Sequence, residues 1–246
     1  MSIKVGTAGW TVPRQDAAEF PPEGSSLERY AARFSVAEIN SSFHRPHRLS
    51  TWQRWRDSVP DGFLFSVKLP KTITHQAKLQ NCSELIGDFL AQAHVLGGKL
   101  AVLLVQLPPK LEFERTVARS FFSDLGARSG AKLACEPRNE TWFTSEAEDL
   151  LAQLRVARVA ADPARVPHAA VPGGWDGLRY WRLHGSPVIY RSSYADRIDD
   201  YAELLTKSAA AGAETWCIFD NTASSAATND ALRLDDAIRG RASGRP

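Results

Sequence analysis

The sequence predicts an α/β protein formed by a single closed (β/α)8 barrel of the TIM type, and two observations carry this prediction. Short apolar, β-branched or aromatic runs alternate with segments of helical periodicity, an alternation typical of a parallel sheet. Eight such runs in 246 residues give about 31 residues for each strand–helix unit, which matches the ~250 residues of a typical barrel. We therefore expect one barrel domain over residues 1–240 and a frayed tail over residues 241–246.

An open doubly wound sheet is the other arrangement that alternating strands and helices can form. Its dinucleotide-binding version carries G-x-G-x-x-G after the first strand, and the "GTAGW" stretch at residues 6–10 does not fit that pattern. No segment of linker-like composition divides the chain into two parts. The closed barrel is therefore favoured over the open sheet.

The predicted strands are short and bounded by polar or turn-forming residues. In chain order they are Ile3–Ala8, Ser35–Ile39, Gly62–Leu69, Lys99–Leu107, Lys132–Glu136, Val156–Asp162, Leu178–His184 and Glu214–Phe219.

Helices are predicted between most of these strands. The apolar spacing is strongest over residues 82–97 and weaker over residues 145–155 and 200–211. Two pairs are expected to cap helix N-termini, Ser25 with Glu28 and Asn81 with Glu84. Residues 163–177 are rich in proline and glycine, and we expect a loop there instead of a helix.

The composition indicates a soluble protein without a nucleic-acid surface. Hydrophobic content is 43% and the net charge is +2, and no basic stripe is visible. The three cysteines, Cys82, Cys135 and Cys217, lie far apart without C-x-x-C spacing, as expected for reduced, buried thiols in a cytoplasmic protein. No signal peptide and no apolar stretch of membrane-spanning length is present. We therefore expect a cytoplasmic location and no membrane partner.

Polar side chains collect at the carboxyl ends of the predicted strands. In "LRYWRLHG", alternation places Tyr180, Arg182 and His184 on one face of the seventh strand. Other strands end in the same way, and the strand-end candidates are Glu38, Asn40, Lys68, Gln106, Glu136, Arg138, Asp162, Arg182, His184 and Asn221. Because barrels build their active sites at this end, the pattern predicts one polar pocket.

A series of motifs then resembles a known family. "GTAGW", "EINSSFHR", "VKLPKTITH", "LVQLPP", "CEPRNETWF", "RLHG" and "FDNTASSAATNDALRL" are similar, in order and spacing, to the uncharacterised DUF72 family of YecE-like proteins. The resemblance covers nearly the whole chain and implies a TIM-type barrel but no established reaction. The chain departs from the usual family pattern at five positions, which are Ser42, His44, Pro137, Asn139 and Asp220.

The candidate site residues divide into two groups. Four are predicted to be catalytic: Glu136 or Glu38 as a base, and Lys68 or His184 as an acid. Eight others are predicted to contact a ligand, and they are Asn40, His75, Gln106, Arg138, Trp142, Asp162, Arg182 and Asn221. Trp10, Phe43, Trp142 and Tyr190 follow strand ends and are expected to wall the pocket.

These residues suit a small anionic, polyhydroxylated metabolite such as a sugar phosphate, handled by lyase, isomerase or hydrolase chemistry. Arg182 and the helix start after Asn221 are expected to hold its anionic group. We expect no metal or other cofactor, because Lys68, Arg138 and Arg182 compete for the carboxylates. The alternatives are a metal-dependent phosphoesterase acting on nucleic acid, a non-catalytic ligand-binding barrel, and charges that only pair with one another.

Overall fold

The computed structural model describes residues 3–242, and parallel strands form its centre. The strands are β1 (Ile3–Thr7), β2 (Val36–Ile39), β3 (Leu64–Lys68), β4 (Leu100–Gln106), β5 (Lys132–Glu136), β6 (Val156–Arg158), β7 (Ala160–Asp162), β8 (Gly173–Gly174), β9 (Leu178–Leu183) and β10 (Glu214–Phe219).

Helices pack against the strands. The α-helices are α1 (Ser26–Ala31), α2 (Leu49–Asp57), α3 (Ser83–Ala93), α4 (Arg115–Ser129), α5 (Ser145–Gln153), α6 (Ile198–Ala210) and α7 (Ala226–Ala242). Short 3-10 or π turns occupy Arg14–Glu19, Ser41–Phe43, Thr72–Gln76, His94–Lys99, Glu140–Phe143, Pro167–Ala170 and Ala195–Arg197.

The strands are arranged in two sheets, so the protein has a mixed α/β fold with parallel sheets. One sheet has the order β1-β10-β9-β7 and the other has the order β2-β3-β4-β5-β6-β8. Every pairing is parallel except that of β6 with β8. A parallel bridge between Ala8 and Glu38 also links the end of β1 to β2.

The predicted sixth strand, Val156–Asp162, is divided in the structure. Its first half, β6, pairs with β5, whereas its second half, β7, pairs with β9 in the other sheet. Only Val159 separates the halves, and its N–H donates to the Cys135 carbonyl at 2.8 Å. The chain therefore passes from one sheet to the other without a loop.

The helix predictions met different outcomes. Ser25 and Glu28 form the expected capping box, in which each side chain accepts from the other residue's backbone N–H. The Asn81–Glu84 cap was wrong, because Asn81 has a φ of 51° and Cys82 directly precedes α3 without a side-chain cap. The helix expected over residues 82–97 ends at Ala93, where a 3-10 turn takes over.

The region predicted as a loop, residues 163–177, contains only one 3-10 turn and the two-residue strand β8. The buried Arg158 holds it in place by donating to the His168 and Val171 carbonyls at 2.9 and 3.2 Å. The tail predicted over residues 241–246 begins inside α7, which extends to Ala242, and its remainder lies outside the described residues.

Two apolar clusters surround the strands. The larger one lies between the strands and the helices and contains the free, buried cysteines Cys82, Cys135 and Cys217. The smaller one is formed largely by strand residues that alternate with those of the larger cluster: Val36, Val102, Leu104, Ala134, Ala157, Val159, Leu178, Tyr180, Trp216 and Ile218. Within residues 3–242, no helix is long and apolar enough to cross a membrane.

Candidate active site

The centre of the candidate site is Arg182, whose side chain is fully buried on β9. Its Nε and Nη2 atoms donate to the two carboxylate oxygens of Glu38 at 3.0 and 2.7 Å. Nη1 donates to Glu136 at 2.5 Å, and Nη2 also donates to Asp220 at 2.8 Å. One guanidinium therefore binds three carboxylates, which come from the ends of β2 and β5 and from the residue after β10.

Electrostatics keep Arg182, Glu136 and Asp220 ionised despite their burial. Desolvation opposes the charge on Arg182, but Glu38, Glu136 and Asp220 outweigh it and raise the pKa of the guanidinium well above its ordinary value. Burial likewise opposes the charge on Glu136, yet Arg138 and Arg182 hold its pKa well below the ordinary range. The pKa of Asp220 is also lowered, against desolvation, mainly by Arg182.

His184 lies between two of these carboxylates. Its Nδ1 is 3.1 Å from Asp220 Oδ2, and its Nε2 is 3.0 Å from Glu136 Oε1. Arg138, which is paired with Glu136, places its Nη2 2.9 Å from the same Nε2 atom. A neutral ring can donate to Asp220 and accept from Arg138, whereas an imidazolium can donate to both carboxylates. The position thus provides hydrogen-bond partners for either protonation state of His184.

Two further polar groups, the hydroxyls of Tyr180 and Ser66, form hydrogen bonds next to Glu38. The Tyr180 hydroxyl donates to Glu38 Oε2 at 2.9 Å and lies 2.9 Å from the Ser66 hydroxyl. Burial and the charge of Glu38 raise the pKa of Tyr180 well above its ordinary value, so the phenol stays protonated. The Tyr180 ring stacks on Trp216 with ring centroids 5.9 Å apart. The base of the cluster is therefore fixed by packing as well as by hydrogen bonds.

Lys68 differs from the other cations of the site. Its ammonium lies 4.2 Å from the centroid of the Phe43 ring, and no ion pair or hydrogen bond joins it to another residue in the described range 3–242. Burial and the positive charge of Arg182 lower the pKa of Lys68 to about 8, partly opposed by Glu136 and Glu38. Near physiological pH, a larger fraction of this amine is therefore neutral than of an ordinary lysine.

An open cavity of about 390 Å³ reaches Glu38, Asn40 and Asp220 from solvent, and Trp10 contributes to its wall. The Asn40 side-chain amide donates to Asp220 at 3.4 Å, but its buried Oδ1 atom has no hydrogen-bond partner among the residues described. Buried polar atoms are nearly always satisfied in folded proteins. Asn40 Oδ1 is therefore an unsatisfied acceptor at the edge of the cluster.

Other predicted ligand contacts lie around the cluster. His75 hydrogen-bonds Thr74 at 2.8 Å and contacts the edge of Phe43, and burial together with Lys68 lowers its pKa. Gln106 pairs in register with Glu136 at the ends of neighbouring strands. The Nε atom of Arg138 is buried without a partner in the described part of the chain.

The structure does not bring three of the predicted residues into this cluster. Trp142 is buried in the core, where its indole N–H donates to the Leu111 carbonyl at 3.0 Å. Asp162 instead accepts from Arg197 and Tyr201, both at 2.7 Å.

Asn221 is the third, and it donates to Asp230 at 2.7 Å and to the Ser192 carbonyl at 3.0 Å. These contacts hold the loop after β9 against the start of α7.

The predicted anion site also needs correction. Arg182 is fully buried and its donors already bind carboxylates, so it does not present a free face to an anion. At the predicted helix start, the Ala223 N–H donates to the Tyr190 carbonyl at 2.9 Å, and α7 begins only at Ala226. Arg138 and Lys68, unlike Arg182, are only partly buried. Within residues 3–242, no group of three or more His, Cys, Asp or Glu side chains is placed to hold a metal ion.

Sequence reasoning missed Asp220, Tyr180 and Ser66 as members of the cluster. The signals were present: Asp220 directly follows β10, and Tyr180 shares the face of Arg182 and His184 on β9. Ser66 precedes Lys68 by two residues on β3, so strand alternation places both on one face.

These features define a parallel α/β protein with a buried arginine–carboxylate cluster at the carboxyl ends of its strands. The chain belongs to the DUF72 family: residues 4–245 match the family described as "Protein of unknown function DUF72". It is 30% identical to the UPF0759 protein YecE of Escherichia coli (strain K12) over 175 residues, which are 69% of this chain and 62% of YecE. The match therefore spans less than two thirds of that relative.

Solved structures are similar over nearly the whole chain. A DUF72 family protein from Thermotoga maritima MSB8 is similar with a TM-score of 0.79 and 20% identity, over 97% of this chain and 100% of that one. A sugar phosphate isomerase/epimerase from Parabacteroides distasonis ATCC 8503 gives a TM-score of 0.52 and 12% identity, over 96% of this chain and 95% of that one. At these identities the likeness concerns the fold.

Proposed function

We propose that the two sheets close into a single barrel domain of eight parallel strand positions, with β6 and β7 sharing one position. Two junctions support closure: the Ala8–Glu38 bridge between β1 and β2, and the single residue Val159 between β6 and β7. The smaller apolar cluster also contains residues from β2, β4, β5, β6, β9 and β10, with Leu64 of β3 packed against it. Side chains from so many strands meet when they fill the interior of a closed ring.

We propose further that the protein is an acid–base enzyme acting on a small anionic, polyhydroxylated metabolite such as a sugar phosphate or sugar acid. The observation that carries this proposal is Lys68, an unpaired amine beside a cluster whose carboxylates are already bound by arginines. An amine with a pKa of about 8 both gives and takes protons near neutral pH. A lysine serving only structure would be expected to pair with one of the nearby carboxylates.

The remaining groups fit the recognition of such a ligand. Asn40 Oδ1 accepts from a hydroxyl, and the Arg138 guanidinium, with an unpartnered Nε atom, binds the anionic group. His184 supplies a second proton-transfer group, since its Nε2 atom has partners in both protonation states. The fold likeness to a sugar phosphate isomerase/epimerase supports the same substrate class, without identifying a reaction.

The metal-dependent phosphoesterase is less well supported by this arrangement. Glu38, Glu136 and Asp220 all direct an oxygen at Arg182, so a guanidinium occupies the space between the carboxylates. A divalent cation held by the same oxygens would have to displace that guanidinium. The arrangement therefore favours acid–base chemistry by the protein's own side chains.

Ligand binding tests this proposal. Thermal shift and calorimetry with a panel of three- to six-carbon sugar phosphates and sugar acids are expected to identify a ligand for the wild type. At roughly a hundred times its Kd, a ligand adds about 2.7 kcal/mol to the free energy of unfolding. Binding is expected to weaken as pH rises through about 8, because Lys68 then loses its positive charge.

Two matched variants are the control. Lys68→Met is expected to lose the shift, whereas Lys71→Met, which changes an exposed lysine three residues away, should keep it. Shifts of equal size in both variants would contradict the proposal. So would a panel in which every anion acts like sulfate, whose exclusion from protein surfaces stabilises proteins without a site.

A further inference from the structure

The position of Lys68 suggests a more specific role for its amine than proton transfer. None of the three carboxylates that act on its charge, those of Glu38, Glu136 and Asp220, forms an ion pair with it. Each of them already accepts hydrogen bonds from Arg182, and two also contact His184. The aromatic face of Phe43, 4.2 Å away, favours a cation and offers no carboxylate or carbonyl acceptor to the amine. The amine thus lies beside this ring without an ion pair or a side-chain hydrogen bond among residues 3–242.

The charges around Lys68 also favour a positive charge at Nζ, whether it belongs to an ammonium or to a protonated imine. Two arginines, Arg138 and Arg182, face three carboxylates, so the cluster carries one net negative charge when His184 is neutral. The charges of Glu136, Glu38 and Asp220 all favour a cation at Lys68, opposing the effects of burial and of Arg182. A protonated imine at Nζ would keep the same charge in the same place, so these three carboxylates would favour it as they favour the ammonium.

We propose that Lys68 forms an imine with the open-chain carbonyl group of an aldose, ketose or oxo acid that carries a phosphate or carboxylate. This inference rests on the proposed function and narrows its substrate class to carbonyl compounds. Lysines that are desolvated or lie beside another cation are the ones that proteins use for this chemistry.

The step balances without an oxidant or a metal. The Nζ lone pair forms a bond to the carbonyl carbon, and the carbonyl oxygen takes up a proton to give a carbinolamine. That hydroxyl then leaves as water while nitrogen forms the double bond to carbon, so amine and carbonyl yield imine and water. Protonation of the imine gives an iminium, which withdraws electrons from the adjacent carbon. Glu136, Glu38 and His184 are the side chains of the cluster that we expect to remove a proton from that carbon.

Reductive trapping tests the imine directly. The wild type is incubated at pH 7 with dihydroxyacetone phosphate, with pyruvate or with uncharged dihydroxyacetone, together with sodium cyanoborohydride. Hydride from the reductant converts an iminium to a secondary amine, which raises the mass of one lysine by that of the probe less one oxygen atom. Peptide mapping by mass spectrometry is expected to place this change on Lys68, with a preference for the charged probes.

Controls distinguish the site from surface labelling. At pH 7 the neutral fraction of Lys68 exceeds that of an ordinary lysine on the order of a hundred-fold. Labelling should therefore reach Lys68 well before Lys71, should persist in Lys71→Met and should be absent in Lys68→Met. Its rate at saturating probe should rise between pH 6 and pH 8 and then level off.

Negative results can contradict the imine alone or the proposed function as well. If no probe labels Lys68 while a ligand still binds in a Lys68-dependent way, the imine is wrong and the proposed function stands. If Lys68→Met and the wild type bind every ligand equally, the proposed function fails and the imine fails with it. Equal labelling of Lys68 and Lys71 would show that the amine has no special reactivity and would overturn the inference.

Discussion

The two ends of the parallel strands both carry charged clusters. These clusters differ in their burial and in whether all of their polar atoms have partners. At the amino ends, Glu214 of β10 pairs with Lys4 of β1 at 3.1 Å and with Lys132 of β5, and it accepts from the Trp216 indole at 2.8 Å. The Lys132 and Glu214 side chains are 37% and 21% exposed, whereas those of Arg182 and Glu38 at the carboxyl ends are fully buried.

The more exposed cluster is also the one in which the carboxylate oxygens have partners. Both carboxylate oxygens of Glu214 have partners, and water screens the cluster. The carboxyl-end cluster leaves the Lys68 ammonium unpaired and leaves Asn40 Oδ1 and Arg138 Nε without partners in the described range 3–242. A complete, half-exposed cluster serves the fold, whereas a buried and incomplete one is expected where a ligand supplies the missing contacts.

Removing the central arginine of the carboxyl-end cluster should have the largest effect on stability. In Arg182→Met, three buried carboxylates lose their shared cation, and we expect a loss of about 3–5 kcal/mol in the free energy of unfolding. Arg179→Met is the matched control, because Arg179 lies on the same strand but is half-buried and pairs with the exposed Asp176. Its loss should stay below about 1 kcal/mol. Urea denaturation measures both, and equal losses would contradict the contrast between buried and exposed pairs.

Removing Lys68 should stabilise the protein. Its pKa falls from the ordinary value of 10.5 to about 8 in the folded protein, so below pH 8 folding works against the protonated amine. We expect Lys68→Met to gain about 1–3 kcal/mol at pH 7. The gain should shrink between pH 8 and pH 10.5, where the wild type gains stability as pH rises. A variant that is less stable than the wild type at pH 7 would show that Lys68 supports the fold.

Removing the carboxylate of the amino-end cluster should change the free energy of unfolding less than removing Lys68 does, and it should lower it. Burial opposes the charge on Glu214, but Lys132, Trp216 and Lys4 lower its pKa from 4.5 to about 2. After allowance for solvent screening, we expect Glu214→Gln to lose about 1 kcal/mol at pH 7. The contribution of the wild-type carboxylate is present above pH 4.5 and disappears as pH falls through about 2. Thermal unfolding across this range checks it, and a loss that 1 M salt leaves unchanged would contradict a screened ion pair.

Strand periodicity was the main sequence signal for the residues of the carboxyl-end cluster. Alternation placed Arg182 and His184 on one face, and the run of polar strand ends placed Glu38 and Glu136 at the same end of the sheets. Their mutual contacts depend on how the strands meet across the structure, which spacing along the chain does not report.

Residues in the loops and at the switch between sheets were harder to predict. Trp142 follows a strand end in the sequence, but the 3-10 turn Glu140–Phe143 turns its ring into the core. Asp162 ends β7, yet the tyrosine and arginine side chains of the segment 194–201 bind it away from the cluster. The direction of a side chain after the last paired residue is set by its tertiary partners, which strand periodicity does not specify.

A direct titration of Lys68 tests the central claim that the carboxyl-end cluster maintains a reactive amine. Lysine labelled with 13C at the ε-carbon is followed by NMR from pH 6 to pH 11, with Lys68 and Lys71 assigned from the Lys68→Met and Lys71→Met variants. We expect the Lys68 resonance to titrate with a midpoint near 8, well below the value of about 10.4 that is ordinary for lysine. A Lys68 midpoint near 10.4 would contradict the account.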